Sequence, residues 1–171
     1  IGGTDLGVAW DNGRGQTLMA FGDTFGNCNA PRQEWRHNVL LRTNDDNLAD
    51  GLSIPKGVKG DVTSGTVIGD RANFAQELIP SLGISNIEVT TIPTAAISIP
   101  HGDGFRQYIN YMSVRSWGSA GNWITNYSGI AYSDNNGQTW TSDPDTILVN
   151  APIDLALPGN LRPVDVNNGK F

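Results

Sequence analysis

The sequence predicts an all-β fold of short antiparallel sheets, and two observations lead there. The first is composition. Among 171 residues there are 21 glycines and 9 prolines, while charged residues make up 16%, a turn-rich profile that suits strands better than helices. The second is the alternation of residues 2–10 and 17–26, separated by a run of turn formers at 11–16, which reads as a β-hairpin.

That hairpin organises the rest. A three-residue loop at Gly13-Arg14-Gly15 closes it, with a glycine free to take positive φ. In this register Trp10 faces Leu18, Val8 faces Ala20 and Asp5 faces Asp23. Two carboxylates side by side destabilise a sheet, so the arrangement calls for either a reason or a different register. Glycoside hydrolysis supplies one, because it uses a pair of carboxyls whose pKa values are held apart.

Further along, residues 38–42 form a short strand and 44–47 a turn. Residues 53–87 read as an insertion or long loop, with a short helix expected over 73–79, where Phe74 and Leu78 share a face ahead of Pro80. Strands follow at 88–99, interrupted by Pro93, at 106–115 and at 127–132, and a tight turn leads into Thr139-Trp140.

An offset of 90 residues lays Thr4 on Thr94, Leu18 on Tyr108, and Phe21-Gly22-Asp23 on Tyr111-Met112-Ser113. Each unit is then four strands in antiparallel order, the pattern of a β-propeller blade. The expected domain plan is one truncated propeller domain over 1–171. The first blade takes 1–52, the insertion 53–87, the second blade 88–145 and the start of a third 146–171. Closed propellers need about four blades or more, so an incomplete arc of two to three blades is expected, with both chain ends read as cut. Ser133-Asp134-Asn135-Asn136-Gly137-Gln138-Thr139-Trp140 resembles the Asp-box of propeller blades, with Asn135 where the box has aspartate. Its expected role is structural: a side chain bonds the turn's own backbone, glycine takes the left-handed position and tryptophan packs beneath.

In a blade, the start of strand one and the end of strand two share a rim. Asp5 and Asp23 fall there, as do the loops at 24–36 and 116–123. The plain alternative is that both aspartates cap turns. The second unit has Ala95 and Ser113 in their places, so a blade does not need carboxylates there. Tryptophan suits the C–H face of a sugar and arginine or asparagine its hydroxyls. The candidate substrate-binding residues are therefore Trp35, Arg36 and Asn38 in the first unit and Arg115, Trp117 and Asn126 in the second. His37 could line the site. Asp23, between Phe21 and Phe25, is expected to have a raised pKa and act as the acid. Asp5, in a more open and polar setting, is expected to be the base or nucleophile.

A net charge of −6 argues against a nucleic-acid partner. The sequence has no apolar run of membrane-spanning length and no signal peptide. Its single cysteine, Cys28, is expected to be a free, partly buried thiol. Neither His37 nor His101 has ligand spacing, and the acidic turns lack the closing glutamate of a calcium loop, so no metal or cofactor is expected.

Several segments together resemble glycoside hydrolase family 183, formerly a domain of unknown function and found largely in actinobacteria. They are Thr4-Asp5-Leu6-Gly7, residues 21–26 (FGDTFG), residues 35–41 (WRHNVLL), Ile92-Pro93-Thr94-Ala95 and residues 110–115 (NYMSVR). The resemblance implies a five-bladed propeller and a secreted or cell-envelope endo-D-arabinanase. Its substrate would be the internal α-D-arabinofuranosyl linkages of mycobacterial-type arabinogalactan and lipoarabinomannan. It also implies that Asp5 and Asp23, in the T-D-L-G and F-G-D-T segments, are the catalytic pair. A sialidase or L-arabinanase, and a carbohydrate-binding or cell-wall-associated propeller without catalysis, are the competing readings.

Overall fold

The computed structural model describes residues 2–51, 53–54 and 75–150. Among them the chain is all-β, with antiparallel sheets, two short 3-10 turns and no α-helix. No described helix is long and apolar enough to cross a membrane.

The opening hairpin forms as its alternation predicts. Strand β2 (Val8–Asp11) pairs with β3 (Thr17–Phe21), with Val8 opposite Ala20 and Trp10 opposite Leu18. Its turn is closed by Asn12 N–H donating to the Gln16 carbonyl at 2.9 Å, and the Asn12 side-chain oxygen accepts from the backbone N–H of Arg14 and Gln16. Gly13 and Gly15 take φ of 81° and 73°, which their missing Cβ allows. Beyond the open end, β1 (Gly3–Thr4) pairs with β4 (Thr24–Phe25), and β5 (Val39–Thr43) completes a three-stranded sheet in the order β2-β3-β5.

The second sheet is a four-stranded meander: β6 (Thr90–His101), β7 (Gly104–Trp117), β8 (Trp123–Ser133) and β9 (Thr141–Val149). The β6–β7 register slips between Pro93 and Ala95, a bulge beside a residue that has no N–H to give the ladder. The Asp-box-like turn closes β8. Asn135 Oδ1 accepts from Thr139 N–H at 2.9 Å, Gly137 N–H donates to Ser133 Oγ at 2.9 Å, and the Trp140 indole donates to the Gly137 carbonyl at 3.1 Å. Gly137 has φ 84°, and a Cβ there would sit 2.6 Å from Leu40. The turn therefore docks directly on the first sheet.

The two sheets pack through one apolar cluster. Trp10, Leu18, Ala20 and Leu40 come from the first, and Ile109, Tyr111 and Ala131 from the second. Inside it the Trp10 indole donates to Gln107 Oε1 at 2.8 Å and Gln107 Nε2 donates to the Asn12 carbonyl at 3.0 Å, which satisfies a buried amide completely enough to be tolerated.

Four expectations are corrected. The first unit is a three-stranded sheet with a separate two-stranded ladder among the described residues, not one four-stranded sheet. Residues 75–79 are not helical; Glu77 instead bridges Val39 in antiparallel fashion, and residues 73–74 lie outside the described part. The reason is a competing acceptor. Asn38 Oδ1 takes the backbone N–H groups of Leu78 and Ile79, at 3.0 and 2.8 Å, that a helix would have used internally. This stretch is also no solvent loop, because Ala75, Leu78 and Ile79 are buried. Finally, β9 runs to Val149, so the second sheet extends past the boundary expected at 145, and residues 151–171 lie outside the described part.

Asn38 also donates Nδ2–H to the carbonyls of Ile79 and Thr91, at 2.8 and 2.9 Å, and is fully buried. Asn38→Ala would strand two donors and two acceptors in the core. We expect it to cost roughly 3–4 kcal/mol in urea or guanidinium unfolding. Asn122→Ala, at an exposed asparagine, should stay within about 0.5 kcal/mol of the wild type. Equal midpoints for the two variants would show that the clamp carries no stability.

Candidate active site

The candidate site is built at the open end of the first hairpin. The β1–β4 ladder pairs Gly3 with Phe25 and Thr4 with Thr24, and the next step of that register sets Asp5 opposite Asp23. Gly22 N–H donates to the Asp5 carbonyl at 3.0 Å and holds the two segments together at that step. A Cβ on Gly22 would lie 3.4 Å from Asp5 Oδ1 and 2.9 Å from Ile92, so glycine leaves the space the carboxyl needs.

The two carboxyls meet different surroundings. Asp23 Oδ1 accepts two hydrogen bonds, from the Trp35 indole N–H at 2.9 Å and from the Thr90 hydroxyl at 2.5 Å. Its Oδ2 has no hydrogen-bond partner among the described residues, and neither does the Asp5 carboxyl. Burial pushes the Asp23 carboxyl above the ordinary aspartate range. The Thr90 and Trp35 bonds pull it back, the Asp5 charge adds to the rise, the nearby His37 opposes it, and the net is upward. Partial burial raises Asp5 as well, which departs from the expectation of an open, readily ionised group.

Behind Asp23 stands a row of rings. Trp35 stacks with Phe25 at 6.3 Å between centroids and meets the His37 ring at 4.6 Å. His37 in turn is held by Glu77, whose Oε2 lies 2.7 Å from Nδ1 and accepts the His37 backbone N–H at 2.9 Å. Burial alone would raise the Glu77 carboxyl, but these contacts from His37 outweigh it and hold the group below its usual range.

Residues 1–168 match a family described as a domain of unknown function, DUF4185. The chain belongs to that family. It is also 30% identical over 156 residues to "Notoamide biosynthesis cluster protein J" of Aspergillus sp. (strain MF297-2), an alignment that covers 88% of this chain and 39% of the relative. The chain thus spans about two fifths of that relative's length.

Within this DUF4185 chain the residues singled out from sequence divide into two groups. Trp35 lies at the aspartates, although it spends its N–H on Asp23. Trp117 is 46% exposed and sits edge-on to Trp123 at 5.9 Å, at the same end of the second sheet as Thr90. Arg115 and Asn126 bond each other at 2.9 Å and line a cleft with Leu82, Asn86, Glu88 and Tyr127. Arg36 and Asn38 are corrected: both are buried, Arg36 donating Nη1–H to the Ala75 carbonyl at 3.0 Å, and they belong to the framework rather than to a ligand surface. The segment at 75–79 explains the split, since its backbone covers β5 and takes the hydrogen bonds of both side chains. Cys28 is free and exposed, not partly buried.

Thr90 and Glu77 were missed as site residues, and no local signal could have found them. Each reaches the site through a contact between segments far apart in sequence.

The raised Asp23 pKa has a measurable consequence for stability. A folded-state pKa above the unfolded value of about 3.8 means that the folded chain holds the proton more tightly. That contribution is fully present below the unfolded pKa and is lost as pH rises through the folded one. Asp23→Asn keeps an acceptor for Trp35 and Thr90 but carries no charge. Its melting temperature relative to wild type should therefore rise on going from acid to neutral pH. A difference that shrinks or reverses over that range would contradict the burial argument.

Proposed function

We propose that this chain carries the catalytic carboxylates of a glycoside hydrolase. The specific reading is an endo-D-arabinanase of glycoside hydrolase family 183 on a β-propeller, secreted or in the cell envelope. Its substrate is the internal α-D-arabinofuranosyl linkage of mycobacterial-type arabinogalactan or lipoarabinomannan. The observation that carries the reading is the facing of Asp5 and Asp23 across adjoining strand segments, where sheet energetics disfavours two like charges. The four-stranded meander β6–β9, its Asp-box-like turn and the contact of β2 with β6 are what two neighbouring blades would present.

In this reading Asp23 is the general acid. Its Oδ1 is occupied by two donors, so the exchangeable proton belongs on Oδ2. From there it passes to the glycosidic oxygen as the bond between that oxygen and the anomeric carbon breaks. Asp5, ionised, then either takes a proton from the attacking water or attacks the anomeric carbon itself. Burial shifts the Asp23 carboxyl in the direction a general acid needs. Neither step calls on a metal or cofactor.

Incubation of the intact protein with purified D-arabinan, L-arabinan and sialylated glycan separates the readings. Oligosaccharides released from D-arabinan alone support the proposal. Binding without cleavage supports a carbohydrate-binding propeller instead, and release from either other glycan supports another propeller glycosidase. Asp5→Asn and Asp23→Asn should each lower turnover by about 10²–10⁴-fold. An aryl arabinofuranoside with a good leaving group should partly rescue the Asp23 variant and leave the Asp5 variant inactive. The reverse pattern would exchange the two roles.

A further inference from the structure

The His37–Glu77 pair has no part in the reaction just described, yet it stands directly behind the group proposed as acid. Glu77 grips it twice, through Nδ1 at 2.7 Å and through the backbone N–H at 2.9 Å. Nδ1 is thereby committed. Nε2 is buried, has no hydrogen-bond partner among the described residues, and lies against Gly83, where a Cβ would come within 3.3 Å of it. Gly83 has φ 65°, a conformation that side chains resist, so the loop backbone closes over the ring where a larger residue would push it away. The ring is thus held by Glu77, by Gly83 and by Trp35, 4.6 Å away between centroids.

Trp35 needs such a brace. Its indole must present one N–H to Asp23 Oδ1 at 2.9 Å, and it stems from a loop rather than from a sheet strand. We propose that His37 is a positioning residue for Asp23: Glu77 fixes the imidazole, the imidazole braces Trp35, and Trp35 delivers its N–H to the carboxyl. The titratable groups that meet this row are Asp5, facing Asp23 from the turn after β1, and Glu77, facing His37 from residues 75–79; the loop at 81–88 brings the backbone of Gly83. The imidazole also acts on Asp23 by charge, favouring the carboxylate. The inference deepens the glycosidase reading, but its main test does not depend on catalysis.

That test is nuclear magnetic resonance on the intact, ¹⁵N-labelled protein. The Trp35 indole N–H signal, assigned by its loss in Trp35→Phe, reports the titration of the carboxyl it touches. In His37→Gln the Asp23 midpoint should move up by about half a pH unit, a roughly threefold weaker acid, because a nearby positive charge is gone. The indole signal itself should also broaden or shift as its brace is lost. Glu77→Gln, which can still accept from Nδ1 and the backbone N–H, should keep the indole signal near its native position, whereas Glu77→Ala should not.

The indole signal of Glu77→Ala, which frees the imidazole without removing it, serves if His37→Gln fails to fold. An indole signal unmoved in Glu77→Ala overturns the proposal. So does an unmoved Asp23 midpoint in a folded His37→Gln protein. If D-arabinan is cleaved, the alkaline limb of the pH–rate profile should rise in His37→Gln along with the Asp23 midpoint. Failure of the wild type to cleave it would sink the glycosidase reading and leave the resonance test standing.

Discussion

The geometry of the candidate site depends on one buried side chain, the amide of Asn38. It holds four backbone groups at once, the N–H of Leu78 and Ile79 and the carbonyls of Ile79 and Thr91. Through them it ties β5, the segment at 75–79 and β6 into one unit. Thr91 is next to Thr90, whose hydroxyl reaches Asp23, and Glu77 precedes Leu78 in the segment that the amide captures. A buried amide without partners would cost several kcal/mol, whereas one with every partner in place is rigid and specifies one arrangement. The clamp thus converts a polar liability into the reference point from which both neighbours of Asp23 are placed.

The site itself runs against local stability. Two carboxyls face each other, burial raises both of their pKa values, and the loop that delivers Trp35 is strained. Arg32, Gln33 and Glu34 have φ of 54°, 55° and 50°, left-handed values that cost L-residues about 1 kcal/mol each or more. Three backbone bonds hold this turn: Gln33 N–H to the Ala30 carbonyl at 2.8 Å, Gly26 N–H to the Gln33 carbonyl at 3.1 Å and Trp35 N–H to the Arg32 carbonyl at 3.0 Å. Strain of this kind gathers where surrounding structure over-determines a conformation, and here the surroundings are the small β1–β4 ladder and the ring row of Phe25, Trp35 and His37.

What could be read from sequence was whatever a short window fixes. The hairpin register follows from alternation and two glycines, the Asp-box-like turn from eight consecutive residues, and the bulge in β6 from Pro93. The facing of Asp5 and Asp23 followed from that register alone. What could not be read depends on contacts across the chain. Residues 75–79 look helical by the spacing of their apolar side chains, and they lose the helix to the amide of a residue about 40 positions earlier. Arg36 and Asn38 carry groups that suit a sugar, but their inward direction is set by the backbone of residues 75–79, to which both side chains bond. Thr90 and Glu77 have nothing in their neighbours that marks them, since their partners are Asp23 and His37.

The hairpin that bears Asp5 and Asp23 is also held at both ends by the second sheet. At its closed end, Asn12 Nδ2 donates to Asn136 Oδ1 at 2.8 Å in the Asp-box-like turn, and its carbonyl accepts from Gln107. At its open end Asp23 accepts from Thr90 of β6. The geometry of the pair is therefore a property of how the two sheets pack, and not of the hairpin alone. This gives a physical reason why Ser113, which the 90-residue offset lays on Asp23, is not a carboxylate. Ser113, the counterpart of Asp23, donates its hydroxyl to the buried Glu88 at 2.5 Å, and Glu88 accepts the backbone N–H of Leu82 at 3.0 Å. Leu82 precedes Gly83, the residue that closes over His37. The second sheet spends this position on supporting the loop behind the site, and a carboxylate there would set a second negative charge against Glu88.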